Sequence, residues 1–265
     1  LLKYSDDLGK TWSQEVLVIP SSYENMVQAL DIQLWSAPDG TLRIFWVQNN
    51  VVKEPEKLPE YPKWQIGVTH GGYLFEDFQH AEWEMICEQP DAEKLTFSPP
   101  RFIFHGFMRC KPIVMKNGEW LYSVYDQINP CFQYYITTDG GKTFTHFNGG
   151  KKILSWCDEP MTYQLKDGSL RTLARRKPYL TETISYDNGR TWTIPAESVI
   201  PNPEARVFVS VTPSGRVILI ANNSSETREK MTVYLSEDDG KTWKCSKCID
   251  ARNMTSYPDA DFFDN

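Results

Sequence analysis

The sequence has no run of 18 apolar residues, so no part of it can cross a bilayer as a helix. No signal-peptide pattern is read in it, which excludes nothing, because the sequence opens on Leu1 without a Met and reaches a repeated motif by residue 5, as expected of a chain whose natural start lies upstream. It lacks a basic surplus: 28 Lys and Arg against 35 Asp and Glu leave a net charge of −7. Nucleic acid is therefore not an expected partner, because binding phosphates requires a basic face. Its 6 cysteines are scattered. The pair Cys245 and Cys248 has C-x-x-C spacing, but the second such pair that a structural zinc would require is missing, so neither a metal nor a cofactor is expected. No convincing helical periodicity is present. What is plentiful is aromatic: 9 Trp and 13 Tyr, a richness that suits a β protein and also a sugar-binding surface.

A polar octapeptide occurs four times: SDDLGKTW (Ser5 to Trp12), TTDGGKTF (Thr137 to Phe144), SYDNGRTW (Ser185 to Trp192) and SEDDGKTW (Ser236 to Trp243). All fit Ser/Thr-x-Asp-x-Gly-x-Thr-Trp/Phe. The Asp can accept backbone N–H groups of its own turn, the Gly supplies a positive φ, and the last aromatic anchors the loop in an apolar seam. The pattern speaks to architecture. The boxes start at 5, 137, 185 and 236, in steps of 132, 48 and 51, so a period near 50 makes the first step almost three units. Turn glycines at 40, 118, 168 and 215 split strand-like runs into hairpins with a similar spacing. WQIGVTH (Trp64 to His70) reads as a further strand, and the proline-bearing stretch before it as an irregular loop. A hairpin, a third strand, an Asp-bearing turn and a fourth strand make a four-stranded propeller blade. A β-helix has a shorter period, and a sandwich is less regular. Residues 1–265 thus predict one all-β domain of about five blades, a six-bladed β-propeller incomplete at both ends.

The octapeptides resemble the Asp-box repeat of the sialidase (neuraminidase) superfamily, whose catalytic domain is a six-bladed propeller. Three further segments resemble that family in its order. DEPMTYQLKDGSLRTLAR looks like the stretch that carries a supporting Glu and a carboxylate-gripping Arg, here Glu159 and Arg175, with Arg176 the one-residue ambiguity. GRVILIANNSSETREKMTVYLSEDDG places the next clamp residue at Arg228. TSYPDADF supplies the nucleophile Tyr257, 29 residues after Arg228. Asp31 in ALDIQLW resembles a family Asp that lines the pocket. Arg109 in FMRCKPIV can point inward, and Trp156 and Tyr179 are candidates to stack on sugar.

The chemistry explains these residue types. Sialic acid bears a carboxylate on its anomeric carbon, which repels the carboxylate nucleophile usual in retaining glycosidases; the resembled family uses Tyr. A phenol is weak near neutral pH, so a neighbouring Glu takes its proton. Paired Arg side chains hold the substrate carboxylate. The family's Arg-Ile-Pro motif and its general-acid Asp are not found, and the expectation is that both lie upstream of Leu1. The resemblance implies an exo-α-sialidase-like retaining hydrolase acting on a sialylated or other acidic glycan. Another glycan-active propeller, or a binding propeller without catalysis, stands as the alternative. A secreted or cell-surface setting is the expectation.

Overall fold

The computed structural model describes residues 2–17, 19, 27–52, 74–75, 81–125, 132–149 and 159–262. Among them every regular element is a strand. In chain order these are β1 (Val27–Ser36), β2 (Leu42–Val52), β3 (Leu74–Phe75), β4 (Ala81–Cys87), β5 (Arg101–His105), β6 (Phe107–Met108), β7 (Ile113–Val114), β8 (Trp120–Tyr125) and β9 (Phe132–Thr137). They continue with β10 (Thr145–Asn148), β11 (Met161–Gln164), β12 (Leu170–Ala174), β13 (Tyr179–Ser185), β14 (Ala196–Pro201), β15 (Phe208–Val211), β16 (Val217–Asn222), β17 (Met231–Ser236) and β18 (Cys245–Asp250). No helix among the described residues is long and apolar enough to cross a membrane.

The strands form four antiparallel sheets in propeller-blade order: β1-β2-β4-β5 with β3 on β2, β6 and β7 on β8-β9-β10, β11-β12-β13-β14, and β15-β16-β17-β18. This corrects the expected five blades of a six-bladed ring: four sheets are present among the described residues. The error came from the 132-residue step between the first two boxes. Its described strands make one sheet with unusually long leading strands of 10 and 11 residues, then the start of the next. The strand read at Trp64 to His70 and the loop before it lie outside the described residues, as does Trp156.

The chain divides into two compact units, Leu1–Gly106 and Phe107–Asn265. The first holds one sheet. Ile44, Trp46 and Met85 form its core, joined by Leu2, Leu17 and Ile19. Leu2 and Leu17 pair across a single antiparallel bridge and bracket the first octapeptide. The second unit holds three sheets. Between its first two, Met115, Leu121, Tyr134 and Ile136 pack on Leu170, Ala174 and Trp192. Between the last two, Tyr163 and Leu173 pack on Val209, Leu219 and neighbours.

All four hairpin turns form where the X-Gly pairs sit, with Gly40, Gly118, Gly168 and Gly215 at φ 83, 85, 93 and 79°. The octapeptides also fold as their residues dictate. In the third, the Gly189 amide donates to Ser185 Oγ at 2.8 Å, the Thr191 amide to Asp187 Oδ1 at 2.8 Å, and the Thr191 hydroxyl to Asp187 Oδ2 at 2.6 Å. The first, second and fourth repeat the Gly and Thr bonds. The residue between Asp and Gly is left-handed too, at Leu8, Gly140, Asn188 and Asp239. The third and fourth boxes reach the sheet before their own. A Cβ on Gly189 would lie 2.7 Å from Leu121 Cδ1, and one on Gly240 would lie 2.7 Å from the Tyr163 hydroxyl, so only glycine fits. Trp192 stacks on Tyr134 with ring centroids 3.9 Å apart and planes at 9°. Trp12 departs from the expected anchor: it is 62% exposed.

These boxes set an acid limit. Hydrogen bonds from Thr11 and Ser5 hold Asp7 down at about 2, and the same bonding lowers Asp139 and Asp238. A depressed carboxyl stabilises the fold above its unfolded value, near 3.8, and that contribution is lost as pH falls through the folded value. Thermal unfolding followed by circular dichroism is therefore expected to lose midpoint temperature from this source only below about pH 4, with the decline running toward about pH 2. Asp187→Asn should weaken that acid dependence.

Candidate active site

Four charged residues occupy one repeated place. Asp31, Arg109, Glu159 and Arg206 each stand nine residues before a hairpin glycine, at 40, 118, 168 and 215. Each therefore sits at or just before the leading strand of its own sheet. Glu159 and Arg206 stand two residues before the first residues of β11 and β15, whereas Arg109 falls in the break between β6 and β7. Asp31 lies on β1 where the pairing with β2 shifts register between Leu30 and Gln33. The backbone there is unusual: Asp31 and Glu159 are left-handed, at φ 56 and 42°. Glu159 also precedes Pro160, which normally pushes a residue toward extended backbone. The Cys110 thiol donates to the Pro160 carbonyl at 3.3 Å and holds this turn down.

In the second unit these positions converge with Arg175, which directly follows β12, and with Tyr257 on the segment after β18. Glu159 is 1% exposed. Its Oε1 accepts from Arg109 Nη2 at 3.0 Å and from the Tyr257 hydroxyl at 3.1 Å, and Arg175 Nη1 pairs with Oε2 at 3.2 Å. Arg175 Nη1 also donates to the Tyr257 hydroxyl at 2.9 Å. Carboxylate, phenol and guanidinium thus form a closed triangle. Arg176, the neighbour one step along, is exposed. Arg228 approaches from the side: its guanidinium lies 5.4 Å from the Tyr257 ring centroid and donates to the Glu204 carbonyl at 2.8 Å. The guanidinium carbons of Arg109 and Arg206 each stand 5.9 Å from the same ring. Four arginines therefore surround one phenol that is 36% exposed.

Burial raises the Tyr257 phenol above its ordinary value, the Glu159 carboxylate pushes it further, and Arg175 and Arg109 pull part of the way back. The phenol is therefore protonated at neutral pH, with an acceptor at hydrogen-bond distance. Of the residues singled out in the sequence, Glu159, Arg175, Arg228 and Tyr257 come together, and Arg109 joins them. Asp31 belongs to the first unit and keeps the equivalent place in its own sheet. Tyr179 is 38% exposed at the start of β13. Arg206 was missed, although its spacing from Gly215 repeats that of Glu159 from Gly168. Among the described residues no group of three or more His, Cys, Asp or Glu is placed to hold a metal.

Residues 1–261 match the family described as the BNR repeat-like domain. The chain belongs to this family. The resemblance to sialidase-superfamily propellers drawn from the octapeptides holds at that level. A sialidase of Micromonospora viridifaciens is 29% identical over 142 residues, 47% of this BNR repeat-like chain and 22% of that protein. Among solved structures, the Hadza microbial sialidase Hz136 superposes with a TM-score of 0.68 at 18% identity, covering 95% of this chain and 52% of that one. The intramolecular trans-sialidase from Ruminococcus gnavus, in complex with oseltamivir carboxylate, superposes at 0.70 and 13% identity, covering 96% of this chain and 79% of that one. The structural likenesses establish a shared β-propeller fold. This BNR repeat-like chain spans about a fifth of the curated sialidase and about half of Hz136.

Proposed function

We propose that this chain carries the core of a retaining exo-α-sialidase that releases terminal sialic acid from glycans, within one domain spanning residues 1–265. Tyr257 is the nucleophile, Glu159 its base, and Arg175 and Arg228 hold the substrate carboxylate. The observation that carries the reading is the triangle of Tyr257, Glu159 and Arg175, with contacts of 2.9 to 3.2 Å.

In the first step the Tyr257 O–H bond breaks and its proton passes to Glu159 Oε1. The phenolic oxygen bonds the anomeric carbon, and the glycosidic bond breaks with its electron pair leaving on the aglycone oxygen. Water then attacks the same carbon and releases one proton to solvent, from which the aglycone oxygen takes one; the bond to Tyr257 breaks, Glu159 returns the proton to the departing phenolic oxygen, and configuration is retained. A neutral phenol can approach a carbon bearing a carboxylate without charge repulsion, and each Arg–carboxylate contact contributes about 1.5–3 kcal/mol. The chemistry makes a sialylated or similarly acidic glycan the partner.

The test is incubation of the full-length protein with an aryl α-sialoside, following the released phenol and identifying the sugar. Free sialic acid, first formed as the α anomer, is the expected product. A sugar product with a new near-ultraviolet absorbance would instead mark a lyase. Binding of the sialoside without turnover would mark a lectin-like propeller and overturn the proposal.

A further inference from the structure

Tyr257 sits where little backbone structure supports it. From residue 251 to residue 262 the chain makes no strand, and Tyr257 itself is left-handed at φ 63°. A non-glycine residue persists in that conformation only when its surroundings impose it. Two buried side chains do so from opposite sides. Asn222, 2% exposed at the end of β16, donates its Nδ2 to the carbonyl of Thr255, two residues before the tyrosine, at 2.8 Å. The same amide donates to the Glu229 carbonyl at 2.9 Å and so ties the segment to the turn before β17. Arg206, 8% exposed, donates its Nη2 to the carbonyl of Pro258, the residue after the tyrosine, at 2.8 Å. Its Nη1 donates to the Arg109 carbonyl at 2.8 Å, next to a residue that grips Glu159. The loop that projects Arg206 is itself closed: Asn202 and Ala205 exchange two bonds of 2.9 Å.

We infer that Arg206 and Asn222 are positioning residues that clamp the backbone on both sides of Tyr257 and set its hydroxyl against Glu159. Arg206 differs in job from Arg175. Its bonds go to main-chain carbonyls of two segments, the break between β6 and β7 at Arg109 and the chain after β18 at Pro258, so it joins the Tyr257 side of the site to the Glu159 side. This rests on the sialidase reading only where turnover is concerned.

The experiment uses full-length protein labelled with 3-fluorotyrosine, whose phenol titrates closer to neutrality, with the Tyr257 fluorine resonance assigned from its loss in Tyr257→Phe. Three explanations of Arg206 move the Tyr257 titration midpoint differently. If Arg206 is a clamp, Arg206→Ala lets the segment relax into solvent, and the midpoint falls toward that of an ordinary tyrosine. If Arg206 acts only as a nearby cation, its removal raises the midpoint. If it serves only general stability, the melting temperature falls and the midpoint stays. Asn222→Ala removes no charge and is expected to lower the midpoint as well; it decides the matter should Arg206→Ala fail to fold. A midpoint that rises or stays in the folded variants overturns the inference. On an aryl α-sialoside, kcat is expected to fall about tenfold or more with little change in KM, because the reacting group is displaced and not the substrate clamp. If the parent protein turns over no sialoside, the fluorine titration still decides the clamp, which separates the two failures.

Discussion

Tyr257→Phe is expected to hydrolyse an aryl α-sialoside about a thousandfold more slowly than the parent protein, a barrier increase of roughly 4 kcal/mol. The substitution removes one oxygen and leaves the ring among its three guanidinium neighbours. Arg109 keeps Glu159 Oε1 at 3.0 Å and Arg175 keeps Oε2 at 3.2 Å, so the carboxylate does not lose its partners with the phenol. The melting temperature should therefore barely move while the covalent route closes. A parallel measurement of sialoside binding should show affinity retained, since Arg175 and Arg228 remain. Turnover within a few fold of the parent would remove Tyr257 from the chemistry and with it the retaining mechanism.

The second large effect concerns Glu159, where stability and turnover fall together. The carboxylate is buried between two arginines, and Glu159→Ala would leave Arg109 and Arg175 facing each other without their shared anion. Removing one side of a buried ion pair costs about 3–5 kcal/mol, most of it from the uncompensated charge left behind. Urea unfolding should show a midpoint lowered accordingly. Glu159→Gln keeps the shape and one acceptor, so its midpoint should fall less, yet loss of the proton acceptor should still slow turnover about 10²-fold to 10³-fold. That contrast separates base from brace: a Gln variant with near-parent kcat would make Glu159 a structural counter-ion only.

The sequence was most legible where a single residue type satisfies a local demand. The hairpin glycines need a positive φ, and all four turns form where they stand. Blade number was less legible, because repeat counting assumes a constant period and the long β1–β2 hairpin breaks it. Much of the site could be read as well. Glu159, Arg175, Arg228 and Tyr257 were reached through segment order, and they meet in the folded second unit. Arg206 was within reach by spacing alone, but in NPEARVFV it looks like one more strand-flanking charge. Asn222 carried no signal at all: nothing in its own letter shows that its amide nitrogen is buried and donates to two carbonyls. Main-chain acceptors such as Pro258 leave no trace in residue identity, so a residue that works by gripping them cannot be recognised from its own letter.

The seating of Gly189 and Trp192 on the preceding sheet gives this architecture a direction. The third octapeptide docks on strands β8 and β9, and the fourth on β11 and β12, in both cases toward the N-terminus. A nascent chain leaving the ribosome thus offers these two turns to surfaces that have already been synthesised. Close-range stacking on Tyr134 makes the emission of Trp192 a natural reporter of when that seat is taken.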